Sequence, residues 1–116
     1  MKISKKVQNK ISHLNFQEFG SENEASIFFL HAFPFSQHMW HEQVMALKKS
    51  FRVMTFDIRG LGKSKISHPY TLEFIVDDLI ALMDNRKIKK TILCGLSMGG
   101  YVALRAVERH PERFSR

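Results

Sequence analysis

Three short apolar runs constrain this chain most: IFFLH (Ile27 to His31), FRVMTF (Phe51 to Phe56) and TILCG (Thr91 to Gly95). None alternates apolar with polar residues. Continuous runs of that length read as strands buried on both faces. Each is followed by helical spacing. After the first, Trp40, Val44 and Leu47 share one face of a helix expected over Gln37 to Lys49. After the second, Thr71 is placed to cap a helix reaching about Asn85, with Leu72, Ile75, Leu79, Leu82 and Met83 as its apolar face. After the third, a helix is expected from Met98 to Arg109, ended by Pro111. Strand and helix thus alternate three times, which predicts an α/β fold with a mostly parallel sheet and helices on both faces. Upstream, KKVQNKISHLNFQEFG alternates weakly. It predicts two short antiparallel strands turning at Asn9-Lys10, an antiparallel first hairpin.

The chain has 116 residues, enough for one domain with a real core. Its net charge is +7, but the basic residues are scattered through helix ends and the first residues, without aromatic interleaving. That pattern reads as solvated faces and gives no nucleic-acid footprint. No apolar run approaches the roughly 20 residues that cross a bilayer, and the first residues lack an h-region of about 7–15 apolar residues. A cytoplasmic protein without membrane or nucleic-acid partners is expected. Cys94, the one cysteine, lies in an apolar run and is expected to be a small buried core residue.

The third run leads into Gly95-Leu96-Ser97-Met98-Gly99, a G-x-S-x-G pattern between a strand and a helix. A turn sharp enough to lift a serine hydroxyl above the strand end holds that serine in strained backbone. Gly95 and Gly99 leave room for the helix to pass close to the strand. The helix N-terminus then points free N–H groups at Ser97, a candidate nucleophile.

Two further blocks fit. His31-Ala32-Phe33-Pro34 follows the first buried strand, and Asp57-Ile58-Arg59-Gly60-Leu61-Gly62-Lys63-Ser64 follows the second. The first resembles the His-Gly-x-Pro turn of α/β-hydrolases, with Ala32 where glycine is commoner. The second resembles that family's Asp-x-Arg-Gly-x-Gly-x-Ser loop. From about Ile11 to Phe114 the chain looks like the N-terminal half of an α/β-hydrolase, most similar to the enol-lactonase and small carboxylester-hydrolase branch. The resemblance implies a serine hydrolase acting on an ester or lactone, without cofactor or metal. It implies an oxyanion hole from the backbone N–H groups of Phe33 and Met98, and loop-ordering roles for Asp57 and Arg59. His31 is read as a structural residue bonded within its loop.

Gly60 to Ser64 also ends in Gly-Lys-Ser after a strand, like a phosphate-binding loop. The first glycine of that motif would fall on Asp57, whose carboxylate would repel phosphate, and no helix starts at once because Ile66 to Pro69 intervenes.

Ser97 needs a base and an acid, which in this fold follow the nucleophile in the order Asp or Glu, then His. After Ser97 the chain offers Glu108, Glu112 and His110. Thirteen residues of helix put His110 about 20 Å from Ser97, out of reach. His38 and His41 lie in or near the first helix and are not read as the base. By the resemblance, acid and histidine belong to later strands and loops. The chain is therefore expected to be the nucleophile-bearing half of the domain: a fragment, an interrupted reading frame or one piece of a split protein, inactive alone and completed by a C-terminal half. Thr91 to Gly95 would then be an exposed sheet edge. The alternative is a half-domain without catalysis that binds a partner through that edge.

Overall fold

The computed structural model describes residues 11–64 and 71–115. Four strands form one sheet: β1 (Phe16–Phe19), β2 (Ser26–Leu30), β3 (Arg52–Phe56) and β4 (Ile92–Gly95). Their spatial order is β1-β3-β2-β4. β2 runs parallel to β3 and to β4, while β1 is antiparallel to β3, pairing Phe16 with Phe56 and Phe19 with Val53. The sheet is mixed and mostly parallel, as expected. The earlier strand of the expected hairpin and its Asn9-Lys10 turn lie outside the described residues. The later strand is shorter than its weak alternation suggested: Ile11 to Leu14 turn, with the Leu14 N–H on the Ile11 carbonyl at 2.9 Å.

Alternation along the central strands builds two cores. Phe28, Leu30, Met54 and Phe56 point to one face, packing with Ile75, Leu79, Leu82, Val102 and Ala106. Phe29 and Val53 point to the other, packing with Trp40 and Val44. The first face is covered by α2 (Leu72–Asn85) and α3 (Met98–Arg109), the second by α1 (His41–Leu47) and the 3-10 turn Gln37–Trp40 before it. Continuous apolar strands follow from this, because both of their faces are covered.

Three expectations need correcting. The first helix starts as a 3-10 turn, because Ser36 caps it by accepting from the His38 N–H and the Gln37 N–H is drawn to Asp57. Leu72 is exposed: as the first residue of α2, after the Thr71 cap, it lies beyond the buried stripe. β4, with Cys94 in it, is half-buried rather than buried, because it is an edge strand. Partial burial still pushes the Cys94 thiol above its usual range.

Side chains tie the layers together. Glu18 of β1 holds both Arg52 of β3 and Arg86 at the end of α2, and is itself nearly buried. Along the packed pair α2 and α3, Arg105 meets Glu73 and Arg109 meets Asp77. The next arginine, Arg113 in the 3-10 turn Pro111–Arg113, meets Asp84.

Candidate active site

Ser97 occupies the junction between β4 and α3 with φ 54° and ψ −112°, backbone that a side chain rarely adopts. The neighbouring glycines explain how the turn is held. A Cβ on Gly95 would sit 2.3 Å from the Gly99 carbonyl oxygen, and one on Gly99 would sit 2.0 Å from the Leu30 carbonyl oxygen. The turn is thus pressed between β4 and the end of β2. The Leu96 N–H on the Leu30 carbonyl, at 3.2 Å, fixes it there. Gly100 is different, since a Cβ there would meet nothing closer than 3.6 Å. The Ser97 side chain is exposed and has no hydrogen-bond partner among the described residues.

β2 delivers the second block to the same place. His31 is fully buried. Its Nε2 accepts the Ile58 N–H at 2.9 Å, so Nδ1 carries the proton and donates to the Ala32 carbonyl at 2.9 Å. Burial outweighs that bond and the charge of Asp57, and holds the imidazole below its usual pKa. With both nitrogens engaged it fastens the Ala32 loop to the Asp57 loop. Ala32 is buried and is not at positive φ, so alanine brings no backbone strain there; its N–H points at the Met39 sulfur, 3.3 Å away. Phe33 follows, its ring exposed and its N–H without an acceptor among the described residues. Met98 is the first residue of α3, where helical N–H groups have no intrahelical acceptor.

The third block closes on itself. Asp57 accepts the Gln37 N–H at 2.8 Å on one oxygen, and the Asn15 amide and Lys63 N–H at 2.9 Å each on the other. Burial alone would raise its pKa, but these donors outweigh it and hold the carboxylate below its usual range. Gly62, at φ 54°, passes so close that a Cβ would lie 2.4 Å from the Asp57 carboxyl carbon. Ser64 completes the knot, donating to the Asp57 carbonyl and accepting the Asn15 N–H. Asp57 therefore occupies the cradle that the Gly-Lys-Ser pattern suggested for a phosphate, which is a firmer reason against nucleotide binding than repulsion.

Arg59 leaves this loop to grip Asp78 of α2 through two bonds of 2.7 Å, and lies 5.5 Å over the Phe74 ring. Those bonds to Asp78 keep its guanidinium charged even more firmly than usual. His13 shares the same carboxylate at 3.0 Å. Sequence reasoning missed Asp78 and His13. A signal existed for Asp78: it falls between Ile75 and Leu82 on the buried stripe of α2, where a carboxylate requires a partner.

The structure therefore gathers Ser97, His31, Ala32 and the Asp57 loop at one end of β2, β3 and β4. It brings no imidazole into a hydrogen bond with Ser97 among the described residues. His38 lines a shallow hollow with Phe35 and Met39, His41 is exposed on α1, and His110 follows the far end of α3. No group of three or more His, Cys, Asp or Glu side chains that could hold a metal ion occurs among the described residues.

Comparison with known proteins agrees with this geometry. The sequence model of the alpha/beta hydrolase fold matches residues 25–116. The chain is 40% identical over 91 residues to 3-oxoadipate enol-lactonase 1 of Acinetobacter baylyi, covering 78% of this chain and 34% of that protein. Among solved structures, the enol-lactonase of Burkholderia xenovorans superposes with a TM-score of 0.82 at 38% identity, over 87% of this chain and 40% of that one. A thermophilic esterase of Thermogutta terrifontis superposes equally well, TM-score 0.82 at 35% identity, over 87% of this chain and 37% of that one. The chain thus spans between 34% and 40% of the length of these relatives. A parallel-centred sheet, a strained serine between two crowded glycines and a buried histidine behind it meet in one place, and the match extends over most of the chain: it belongs to the α/β-hydrolase fold family.

Proposed function

We propose that Ser97 is the nucleophile of a serine hydrolase acting on esters or lactones, and that these residues form its nucleophile-bearing half. The observation that carries this reading is the backbone of Ser97, held at φ 54° by glycines that admit no side chain. Strain of this kind costs about 1–3 kcal/mol and persists where function uses it. Relatives named as an enol-lactonase and an esterase support the ester or lactone class. Ser97 Oγ bonds to the carbonyl carbon and passes its proton to a base. The new oxyanion accepts the N–H groups of Phe33 and Met98, an arrangement in which one donor is worth about 10²–10³ in rate. The oxyanion collapses, the C–O bond to the alcohol breaks, the protonated base returns its proton to the leaving oxygen, and water then releases the acyl group. His31, Asp57 and Arg59 order the loops. Base and acid come from segments outside these residues, and the chain alone is inactive. No described helix is long and apolar enough to cross a membrane, which suits the cytoplasmic setting we assign.

The test joins this chain to the remainder of the Acinetobacter baylyi enol-lactonase and measures hydrolysis of an activated ester. Ser97→Ala should abolish it, and the 116-residue chain alone should show none above its own Ser97→Ala variant. Undiminished turnover by the joined Ser97→Ala protein would remove the nucleophile assignment.

A second reading, a half-domain that binds a partner without catalysis, is favoured by the open side of β4 beside an apolar face of α3.

A further inference from the structure

Ala32 is buried, and its N–H points at a thioether, the Met39 sulfur, 3.3 Å away. Sulfur of this kind is a weak acceptor. The next peptide is the one that matters for the site. Its carbonyl, on Ala32, accepts both the His31 Nδ1–H and the Phe35 N–H, at 2.9 Å each. Its N–H, on Phe33, lies in the same plane and points the opposite way. Met39 thus holds one side of Ala32, and the two donors hold the other. Any movement of Ala32 re-aims the Phe33 N–H.

Met39 is reachable as well as bonded. It lies in the 3-10 turn Gln37–Trp40, is half-buried, and lines an open hollow of about 420 Å³ with Phe35 and His38. The other described methionines lack this combination. Met54 and Met83 are fully buried, and Met98 packs against the core. Met45, on α1, is 45% exposed but bonds no backbone group among the described residues.

We propose that Met39 is a site of reversible oxidation by a hydroperoxide, and that its sulfoxide displaces Ala32 and with it the Phe33 N–H. The sulfur lone pair takes the terminal oxygen of the peroxide and the O–O bond breaks. The proton of that oxygen passes to the departing one, which leaves as water when hydrogen peroxide is the oxidant. Sulfur loses two electrons and the peroxide gains them. The product sets a polar oxygen where a weak acceptor stood. That oxygen needs about 2.9 Å of its own to the Ala32 nitrogen. The sulfur behind it must then sit farther off than its present 3.3 Å, so the turn and the Ala32 loop separate. A misplacement of about 1 Å can cost about 10²-fold in rate. Thiol-dependent sulfoxide reductases reverse the step. The effect on catalysis rests on the proposed role of Phe33; the effect on Ala32 does not.

The experiment treats the isotope-labelled 116-residue chain with hydrogen peroxide, locates oxidation by peptide mass mapping and follows the Ala32 amide by NMR. Met39 and Met45 should both gain oxygen. The Ala32 amide proton should move downfield in the parent and stay in place in Met39→Leu. In the joined protein of the ester test, peroxide should lower kcat at least about tenfold with KM changed less than about threefold, and methionine sulfoxide reductase should restore it. Joined Met39→Leu keeps Met45, Met98 and Cys94, and should lose no activity to peroxide. Met39 untouched while Met45 reacts, an unmoved Ala32 amide, unchanged kcat after Met39 is oxidised, or equal loss in joined Met39→Leu overturns the proposal. Full activity of joined Ser97→Ala would remove the nucleophile assignment and leave the Ala32 amide to decide this one.

Discussion

Gly99 lies so close to Leu30 that a Cβ on it would stand 2.0 Å from the Leu30 carbonyl oxygen. No flexible side chain is available to move, because the obstacle is the backbone of β2. Gly99→Ala must push α3 away from the sheet, and should cost about 1–3 kcal/mol in urea unfolding. Gly100→Ala has room, with the nearest atom at 3.6 Å, and should gain up to about 1 kcal/mol from helix propensity. Equal effects of the two substitutions would contradict the packing described.

Ser97 holds positive φ without the freedom of glycine. Ser97→Gly should therefore raise stability, by up to about 1 kcal/mol, while Ser97→Ala, which keeps the strain, should not. Thermal unfolding of the two variants beside the parent gives the comparison.

His31 gives the fold a pH dependence whose sign can be worked out. Burial lowers its folded pKa below the unfolded value of about 6.5, so the unfolded chain binds the proton more readily. Stability is then fully present above about pH 6.5 and falls with further acidification, until His31 is protonated in the folded state as well. Asp57 acts in the same direction at lower pH: its depressed pKa stabilises above about pH 4 and the effect is lost as pH falls through the folded value. Urea titrations from pH 7.5 to 5 should show the first loss in the parent and not in His31→Gln. The variant should be less stable at pH 7.5 if it fails to accept the Ile58 N–H.

Arg59 and Asp78 are both nearly fully buried and doubly bonded. Removing either alone breaks a buried, doubly bonded ion pair, so Arg59→Ala or Asp78→Ala should each cost up to about 3–5 kcal/mol, the former cushioned by the His13 contact that Asp78 keeps. Arg59→Met with Asp78→Leu should cost less than Arg59→Met and Asp78→Leu measured singly and added together, as that double-mutant cycle in urea would show.

Much of this architecture was legible because the central strands are sandwiched. Covering both faces requires predominantly apolar runs, and those are easy to see in IFFL and in VMTF, where Thr55 is the one polar residue. The edge position of β4 left no mark on TILCG, since half-burial and full burial select the same residues there. In the site, the crowding at Gly95 and Gly99 was readable from their spacing about Ser97. The contact that makes Gly99 indispensable was not, because Leu30 offers only its carbonyl, and any residue has one. The Asp78 cluster escaped notice for a related reason: its partners, His13 and Arg59, are 65 and 19 residues away in sequence.

The Asp57 loop has a practical consequence. Its donors already hold an anion that is covalently part of the chain, at an effective concentration no dissolved anion can match. Phosphate, sulfate or nucleotide in a buffer should neither stabilise the protein through this loop nor compete with a substrate there, so inhibition by such ions would have to arise at another surface.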